Sequence, residues 1–161
     1  MIRLTRLADY GIVVMTHFAR SPSLLPRSAR EVAAETQLSL PMASKILKSL
    51  ARGGLLESHR GVHGGYALAL PPEEISVADV ITALEGPIGM TECTDDEAEE
   101  CTIEPVCPVR GNWQLVNQVV RQALENINLA RMAGPFPCGE SLRRPGLRGQ
   151  PLPGVDALSS D

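Results

Sequence analysis

Two short helices joined by a tight turn are predicted by residues 28–52, which read SAREVAAETQLSLPMASKILKSLAR. Ser28 and Glu31 have the spacing of a capping box, in which a hydroxyl and a carboxylate satisfy free backbone amides at a helix start. Ser39 is the predicted N-cap of the second helix, and Pro41 is tolerated in its first turn because amides there have no intrahelical partner. Two helices with so short a turn between them are typical of a helix-turn-helix.

The second helix, over residues 40–52, has an apolar stripe and a basic face. Its apolar residues recur at helical spacing and are expected to be buried: Ala43, Ile46, Leu47 and Leu50. Another face carries Pro41, Lys45, Lys48 and Arg52 at helical spacing. Lys45 and Lys48 can reach phosphates or guanine edges in the major groove of DNA from this face. The remaining candidate DNA contacts lie near the start of the helix: Ser39, Pro41, Met42 and Ser44. A solvated lysine face is the alternative interpretation.

A β-hairpin is predicted directly after this helix, which stops at Gly53-Gly54. Residues 55–58 and 66–70 flank a glycine-rich loop over 59–65. The loop glycines allow a tight tip, and Arg60 is placed to enter a narrow minor groove. The predicted fold class is therefore mainly α with a small β-hairpin, a winged helix-turn-helix followed by a long dimerisation helix.

The formal net charge of −4 is distributed unevenly over the 161 residues. Residues 1–70 carry +5, residues 71–107 carry −11 and residues 108–161 carry +2. A basic first part suits a nucleic-acid face, whereas the acidic segment must have a different task. We therefore expect double-stranded operator DNA to be a partner in spite of the acidic total.

Four segments are predicted along the chain. The winged helix-turn-helix occupies 1–86, a cysteine-bearing loop 87–108, a single long helix 109–133, and a proline- and glycine-rich tail 134–161 that we expect to be disordered. Apolar residues in the long helix step alternately by three and four, which is typical of a helix that pairs with another: Trp113, Val116, Val120, Ala123, Ile127 and Ala130. This pattern predicts a homodimer.

Three of the four cysteines follow one another with the spacing C-x7-C-x5-C: Cys93, Cys101 and Cys107. Thiolates are the preferred ligands of iron-sulfur clusters, and a loop lets three of them converge on one centre. Structural zinc sites favour closely spaced cysteine pairs and four protein ligands, so zinc is the weaker alternative. Thiol-disulfide sensing and unligated cysteines also remain open. Cys138 lies in the tail and is expected to be a bystander.

Together these motifs resemble the winged-helix regulators that include IscR, NsrR and RirA, also called the Rrf-two family. The resemblance covers residues 1 to about 133 and rests on the three cysteines and four short motifs: Arg3-Leu4-Thr5, Leu38-Ser39-Leu40, the wing over 60–66 and the helix over 76–81. It implies a cluster-binding homodimer that controls genes of iron-sulfur assembly or iron homeostasis. The type that the chain resembles most is the regulator of a Suf-type assembly operon.

The cysteine spacing departs from one branch of that family. Members with a 2Fe-2S cluster have shorter spacing between the first two cysteines and a histidine three residues after the third, where this chain has Arg110. Three cysteines with a weak fourth ligand favour a 4Fe-4S cluster, with 2Fe-2S as the alternative. The resemblance to nitric-oxide-sensing members places that fourth ligand at Asp9, supplied by the partner subunit. A first-turn aspartate stabilised by the helix dipole is the alternative for Asp9, and Glu104 or an exogenous molecule are the other candidate ligands.

The sequence argues against an enzyme and against a membrane protein. It has no phosphate-binding glycine motif, no C-x-x-C redox pair and no nucleophilic triad with supporting context. It has no apolar run of the ~18 to 20 residues that a membrane span needs and no signal-peptide core, so we expect a cytoplasmic protein. The predicted function is an iron-sulfur-sensing DNA-binding transcription regulator. A zinc-stabilised or thiol-redox regulator is the alternative, and an iron-sulfur or thiol oxidoreductase is least favoured.

Overall fold

The computed structural model describes residues 4–20, 25–61, 64–91, 94 and 106–135. Within these residues the chain is mainly helical with one antiparallel hairpin, which confirms the predicted fold class. The elements follow one another in this order: α1 (Arg6–Arg20), α2 (Ala29–Thr36), α3 (Leu40–Arg52), β1 (Leu56–His59), β2 (Gly65–Leu68), α4 (Val77–Glu85), α5 (Arg110–Glu125) and α6 (Leu129–Ala133). None of the helices among these residues combines the length and the apolar composition that a membrane span requires.

Side-chain caps determine where α1, α2 and α4 begin. The Thr5 hydroxyl accepts hydrogen bonds from two amides in the first turn of α1. At α2, Ser28 accepts from the Glu31 amide and the Glu31 carboxylate accepts from the Ser28 amide, so the predicted capping box is confirmed. Ser76 and Asp79 form a second capping box at α4. These local bonds set the start of three helices independently of the core.

Ser39 occupies the N-cap position of α3, but its side chain makes no capping bond. An N-cap oxygen normally accepts from the second or third amide of the helix. Pro41 stands at the second position and has no amide proton, which removes one of those two donors. The first turn still closes, because the Ala43 amide donates to the Ser39 carbonyl at 2.9 Å.

One apolar core joins the helices to the hairpin. Its buried members come from α1 to α4, the hairpin and the start of α6: Val14, Met15, Phe18, Val32, Ile46, Leu47, Leu50, Leu55, Leu56, Ile75, Val80 and Leu129. All four α3 residues that were predicted to be buried are 0% exposed. Burying one large aliphatic side chain contributes about 1.5–3 kcal/mol, so this stripe holds α3 firmly against the core. The other face of α3 is thereby turned to solvent.

The hairpin extends further into the loop than predicted, since His59 pairs with Gly65. Arg27 adds a backbone bridge on the other side of β2: its amide donates to the Tyr66 carbonyl at 2.9 Å, and the Tyr66 amide donates to the Arg27 carbonyl at 2.8 Å. A Cβ at Gly65 would lie 2.4 Å from the Arg27 carbonyl carbon, so this approach requires glycine. The wing is therefore attached to the chain segment that precedes α2.

The structure divides the single long helix predicted over 109–133 into α5 and α6, which corrects that prediction. The two helices are separated by residues 126–128. Asn128 begins α6, because its side chain accepts a hydrogen bond from the Arg131 amide at 2.9 Å. Periodicity could not reveal the break, since the apolar residues on both sides keep the helical spacing.

The chain after α5 belongs to the core rather than to the predicted pairing face. Leu129 is fully buried, and its amide donates to the Ile75 carbonyl at 2.9 Å. Ile127 packs on a small apolar cluster that includes Val77, whose amide donates to the Ile127 carbonyl at 2.8 Å. Ile127 therefore does not belong with the pairing residues of α5. Ala130 lies in α6, a separate helix, so it is also excluded from the pairing residues of α5.

Candidate nucleic-acid interface and cysteine segment

A three-residue turn joins α2 to α3 and completes the predicted helix-turn-helix. Gln37 at its start has a left-handed backbone with φ of 58°. This conformation reverses the chain and lets the Leu38 amide donate to the Ala33 carbonyl at 3.1 Å. Leu38 then packs against the core, which holds the turn in place. The two helices are thus fixed relative to each other by both backbone and packing.

The exposed side of α3 carries most of the predicted DNA contacts. Four of the predicted residues are exposed: Ser39, Pro41, Lys45 and Lys48. Ser44 is half-buried, and Met42 is half-buried and packs against the core. A side chain that contributes to the core is less available to a base, so Met42 is the least accessible member of the set.

A groove of about 600 Å³ lies between α3 and the hairpin. Its walls are formed by five residues: Lys48, Ala51, Arg52, Ser58 and Tyr66. Two cations and two hydroxyl groups in one concavity match the chemistry of a DNA phosphate. The helical spacing of Arg52 from Lys45 was a signal that could have added Arg52 to the predicted contacts. Only the folded hairpin brings Ser58 and Tyr66 to this groove.

Arg60 is exposed immediately after β1, at the tip of the hairpin. Gly61 has φ of 112°, a left-handed conformation that favours glycine. The Gly64 amide donates to the Gly61 carbonyl at 3.0 Å and narrows the tip. Residues 62–63 lie outside the described residues. The exposed position and charge of Arg60 suit an arginine that enters a minor groove.

Among the three predicted cysteine ligands, the structure describes Cys107, which is a free, half-buried thiol three residues before α5. Cys93 and Cys101 lie outside the described residues, as do Cys138 and the chain from 136 onward. In the described part of the chain, no group of three histidine, cysteine or acidic side chains is arranged to hold a metal ion. Three thiols are nevertheless a donor set that suits an iron-sulfur cluster.

Asp9 lies in the first turn of α1, and its side chain is exposed. It borders a surface depression of about 370 Å³ together with Leu4, Thr5 and Arg6. A carboxylate at a helix start is stabilised by the helix dipole, which explains Asp9 without a ligand. Its exposure also leaves it accessible to a second subunit. Glu104, the other protein candidate for the fourth ligand, lies outside the described residues.

The sixteen residues of α5 include none that is buried. Large apolar side chains are exposed along it and just before it: Val109, Trp113, Leu115, Val116 and Val119. Trp113 is 39% and Val116 is 42% exposed, and they line a shallow apolar groove of about 390 Å³ with Val109 and Asn112. Contiguous exposed apolar surface of this kind marks an interaction site.

Comparison with known proteins places the chain in a family. The model of the Rrf2 family, described as "Iron-dependent Transcriptional regulator", matches residues 4–135. This chain is a member of the Rrf2 family. The family predicted from the motifs is confirmed, and an Rrf2 protein is a transcription regulator rather than an enzyme.

This Rrf2 protein is similar to regulators of known sequence and structure. It is 30% identical over 132 residues to the transcriptional regulator CymR of Bacillus subtilis, covering 82% of this chain and 90% of CymR. The structure of CymR, the global cysteine regulator of B. subtilis, matches with a TM-score of 0.63 and 28% identity, covering 83% of this chain and 97% of that chain.

Two further Rrf2 relatives show the same likeness. The transcriptional regulator NsrR of Halalkalibacterium halodurans is 31% identical over 110 residues, covering 68% of this chain and 75% of NsrR. The structure of T. potens IscR matches with a TM-score of 0.60 and 27% identity, covering 81% of this chain and 85% of that chain. The winged-helix fold is therefore shared with solved regulators, and the chain is a DNA-binding transcription regulator.

Proposed function

We propose that this Rrf2 protein is a homodimer that binds operator DNA in the cytoplasm, with an affinity set by an iron-sulfur cluster. The observation that carries the proposal is the position of Cys107, which lies three residues before α5, a helix in which no residue is buried by the described part of the chain. Ligand binding at Cys107 would therefore act at the start of the helix that pairs the subunits. The same chain carries a helix-turn-helix that can respond to a change in subunit geometry.

The DNA contacts divide between α3 and the wing. Lys45 and Lys48 of α3 enter the major groove, with Ser39 and Ser44 near the base edges. Arg60 enters the minor groove next to it. The charge of +5 over residues 1–70 supports this arrangement, since phosphate neutralisation supplies most of the sequence-independent affinity.

Cys93, Cys101 and Cys107 hold the cluster, and the set of three thiolates favours 4Fe-4S over 2Fe-2S. Asp9 of the partner subunit is the proposed fourth ligand, because its side chain is exposed at the start of α1. When bound, the cluster supplies a centre that is lost or modified when iron is scarce or an oxidant appears. The family description as iron-dependent, with the resemblance of the motifs, supports target genes of Suf-type cluster assembly or iron homeostasis.

Thiol-based sensing without a cluster is the second candidate function. It is favoured by the similarity to CymR, the global cysteine regulator of B. subtilis. A zinc-stabilised form is a variant of this candidate. Both share the DNA contacts of the first proposal and differ in what the cysteines hold.

Anaerobic purification followed by an absorption spectrum distinguishes these candidates. We expect a brown or red protein, whereas a zinc protein or a thiol sensor is colourless. Cys93→Ala, Cys101→Ala and Cys107→Ala should each abolish the colour, and Cys138→Ala is the matched control that should keep it. A full cluster in Cys101→Ala would refute the three-cysteine site.

Asp9→Ala tests the proposed fourth ligand. This variant should retain a cluster but change the absorption spectrum of the cluster or its rate of decay in air. If the spectrum and the decay were unchanged, Asp9 would only stabilise the start of α1 and would not be a ligand.

DNA binding is tested with a duplex that the wild-type protein selects from a randomised pool. Lys45→Ala and Lys48→Ala should weaken binding, and a lost phosphate contact should lower the salt slope by about one. Arg131→Ala removes a charge from the exposed side of α6 and serves as the control.

Removal of the cluster should change the affinity of the protein for this duplex about 5- to 150-fold. Equal affinity with and without a cluster would refute sensing but not DNA binding.

A further inference from the structure

Arg27 connects the wing to two helices. Its backbone is bridged to Tyr66 of β2, as described above. Its side chain points towards the other elements: Nη1 lies 3.1 Å from Oε2 of Glu35 in α2 and 2.5 Å from Nε2 of His17 in α1. Its guanidinium also lies 6.0 Å from the ring centroid of Phe18. One residue therefore holds strand β2, α1 and α2 together.

Burial makes this attachment specific. The Arg27 side chain is 18% exposed and that of His17 is 23% exposed, so both lie largely out of solvent beside the Glu35 carboxylate. Oε2 of Glu35 accepts from Arg27 and lies 2.7 Å from Nε2 of His17. Charge-assisted bonds of this kind are about twice as strong as neutral ones. The side chain of Arg27 thus fixes its own backbone relative to the helix-turn-helix.

The wing needs such an attachment because an isolated two-stranded hairpin is at best marginally stable in water. Its direction is set by what β1 and β2 pack against. The close approach of Gly65 to the Arg27 backbone transmits any displacement of Arg27 directly to β2. Arg60 directly follows His59, which pairs with Gly65, so the bridge lies beside the tip of the hairpin and a small displacement there moves the Arg60 guanidinium.

We propose that Arg27, held by His17 and Glu35, is a positioning residue that aims the wing so that Arg60 reaches the minor groove while α3 occupies the major groove. The inference rests on the proposed role of Arg60. Arg27 acts through the wing and makes no contact with DNA itself, since its guanidinium is engaged with α1 and α2.

Arg27→Ala removes the side-chain anchor and leaves the backbone bridge to Tyr66 possible. With the selected duplex as the probe, we expect affinity to fall about tenfold with a preserved helical spectrum. Arg131→Ala removes the same charge from α6 and should change the affinity less than about twofold, a difference within the usual scatter of independent sites. Glu35→Gln is a milder variant of the same anchor on a more exposed side chain, and it should shift the affinity in the same direction.

A double-mutant cycle with Arg60→Ala separates positioning from general destabilisation. If Arg27 acts through the wing, Arg27→Ala should lower the affinity for the duplex little further in a protein that already carries Arg60→Ala. Additive effects of the two changes would overturn the proposal, because a loss of fold stability or of charge does not depend on Arg60. An effect of Arg60→Ala alone, with none from Arg27→Ala or Glu35→Gln, would also overturn it while leaving the wing contact intact. No effect of Arg60→Ala would refute the wing contact itself and the positioning role with it.

Discussion

The winged-helix part and α5 differ in where their apolar side chains find partners. In α3, residues such as Ile46 and Leu47 are fully buried within one chain. In α5, a longer helix, no residue is buried, and Trp113 and Val116 remain exposed. The first region therefore obtains its stability from its own core. The second is complete only when another surface covers it, which in the proposed homodimer is α5 of a second copy.

The largest loss of stability is expected from a cavity in the core of the winged-helix part. Leu47 is 0% exposed, and Leu47→Ala should lower the free energy of unfolding by about 2–5 kcal/mol. Leu40→Ala is the matched control, since Leu40 lies on the same helix and is 43% exposed. Its effect should stay within about 0.5 kcal/mol in urea unfolding. If both variants lost a similar amount of unfolding free energy, burial in the core would not explain why the winged-helix part is stable within one chain.

The second prediction concerns α5 itself. Val116→Asp places a charge on the exposed apolar face and should weaken dimerisation at least about tenfold, because central apolar contacts dominate interface energies. Gln118→Asp introduces the same charge on another side of α5 and should leave the dimer intact. Light scattering at micromolar concentration measures both. An unchanged dimer in Val116→Asp would assign pairing to a different surface.

Ile127→Asp sharpens the same comparison, because the structure moves Ile127 from α5 to the core. This variant should lower the midpoint of thermal unfolding, since the charge would enter the cluster around Val77. Val116→Asp should leave the unfolding of the winged-helix part close to that of a dissociated wild-type chain. If Ile127→Asp dissociated the dimer without loss of stability, the assignment of Ile127 to the core would be wrong.

A smaller loss of unfolding free energy is expected from a substitution where the end of α3 meets α4. A Cβ at Gly53 would lie 2.6 Å from the Cβ of Ala83, and neither side chain can rotate away. Gly53→Ala should therefore cost about 1–3 kcal/mol of unfolding free energy through overpacking. The double variant with Ala83→Gly restores the space and should recover part of the loss. No recovery would indicate that Gly53 acts through its backbone rather than through contact with α4.

The smallest effect is a pH dependence at the start of α2. The hydrogen bond from the Ser28 amide, aided by the Ser28 hydroxyl and by Arg27, holds the pKa of Glu31 below its ordinary value of 4.5. A carboxyl whose pKa is lower in the folded chain stabilises the fold above its unfolded pKa, and this stabilisation is lost as the pH falls through the folded pKa. Wild type should thus lose more stability than Glu31→Gln on acidification below about pH 4.5. Glu74→Gln, an exposed glutamate outside the cap, should behave as wild type does.

Much of the winged-helix part could be predicted because its signals are local. The capping box at Ser28 and the apolar stripe of α3 depend on residues less than four turns apart, and both were predicted correctly. The break at Asn128 was missed, since it depends on bonds from Ile127 and Leu129 to residues near α4. Sequence spacing contains no information on such distant partners.

Some residues of the candidate DNA-binding site could be predicted from local sequence signals, and others could not. Lys45, Lys48 and Arg60 were identified from helical spacing and from a glycine-rich tip, and the structure places all three on the surface. The groove that adds Ser58 and Tyr66 was not predicted, because these residues lie on different strands and meet α3 only after the hairpin has folded.

The sequence by itself determined the helix starts, the basic face, the cysteine pattern and the family, because capping, periodicity and ligand chemistry operate over a few residues. The tertiary structure alone decided which apolar residues stay uncovered and what the wing is attached to. Ile127 and Val116 have similar chemistry, yet one packs on the core and the other faces solvent. Burial and long-range hydrogen bonds depend on which distant segments meet, and only the folded chain specifies those contacts.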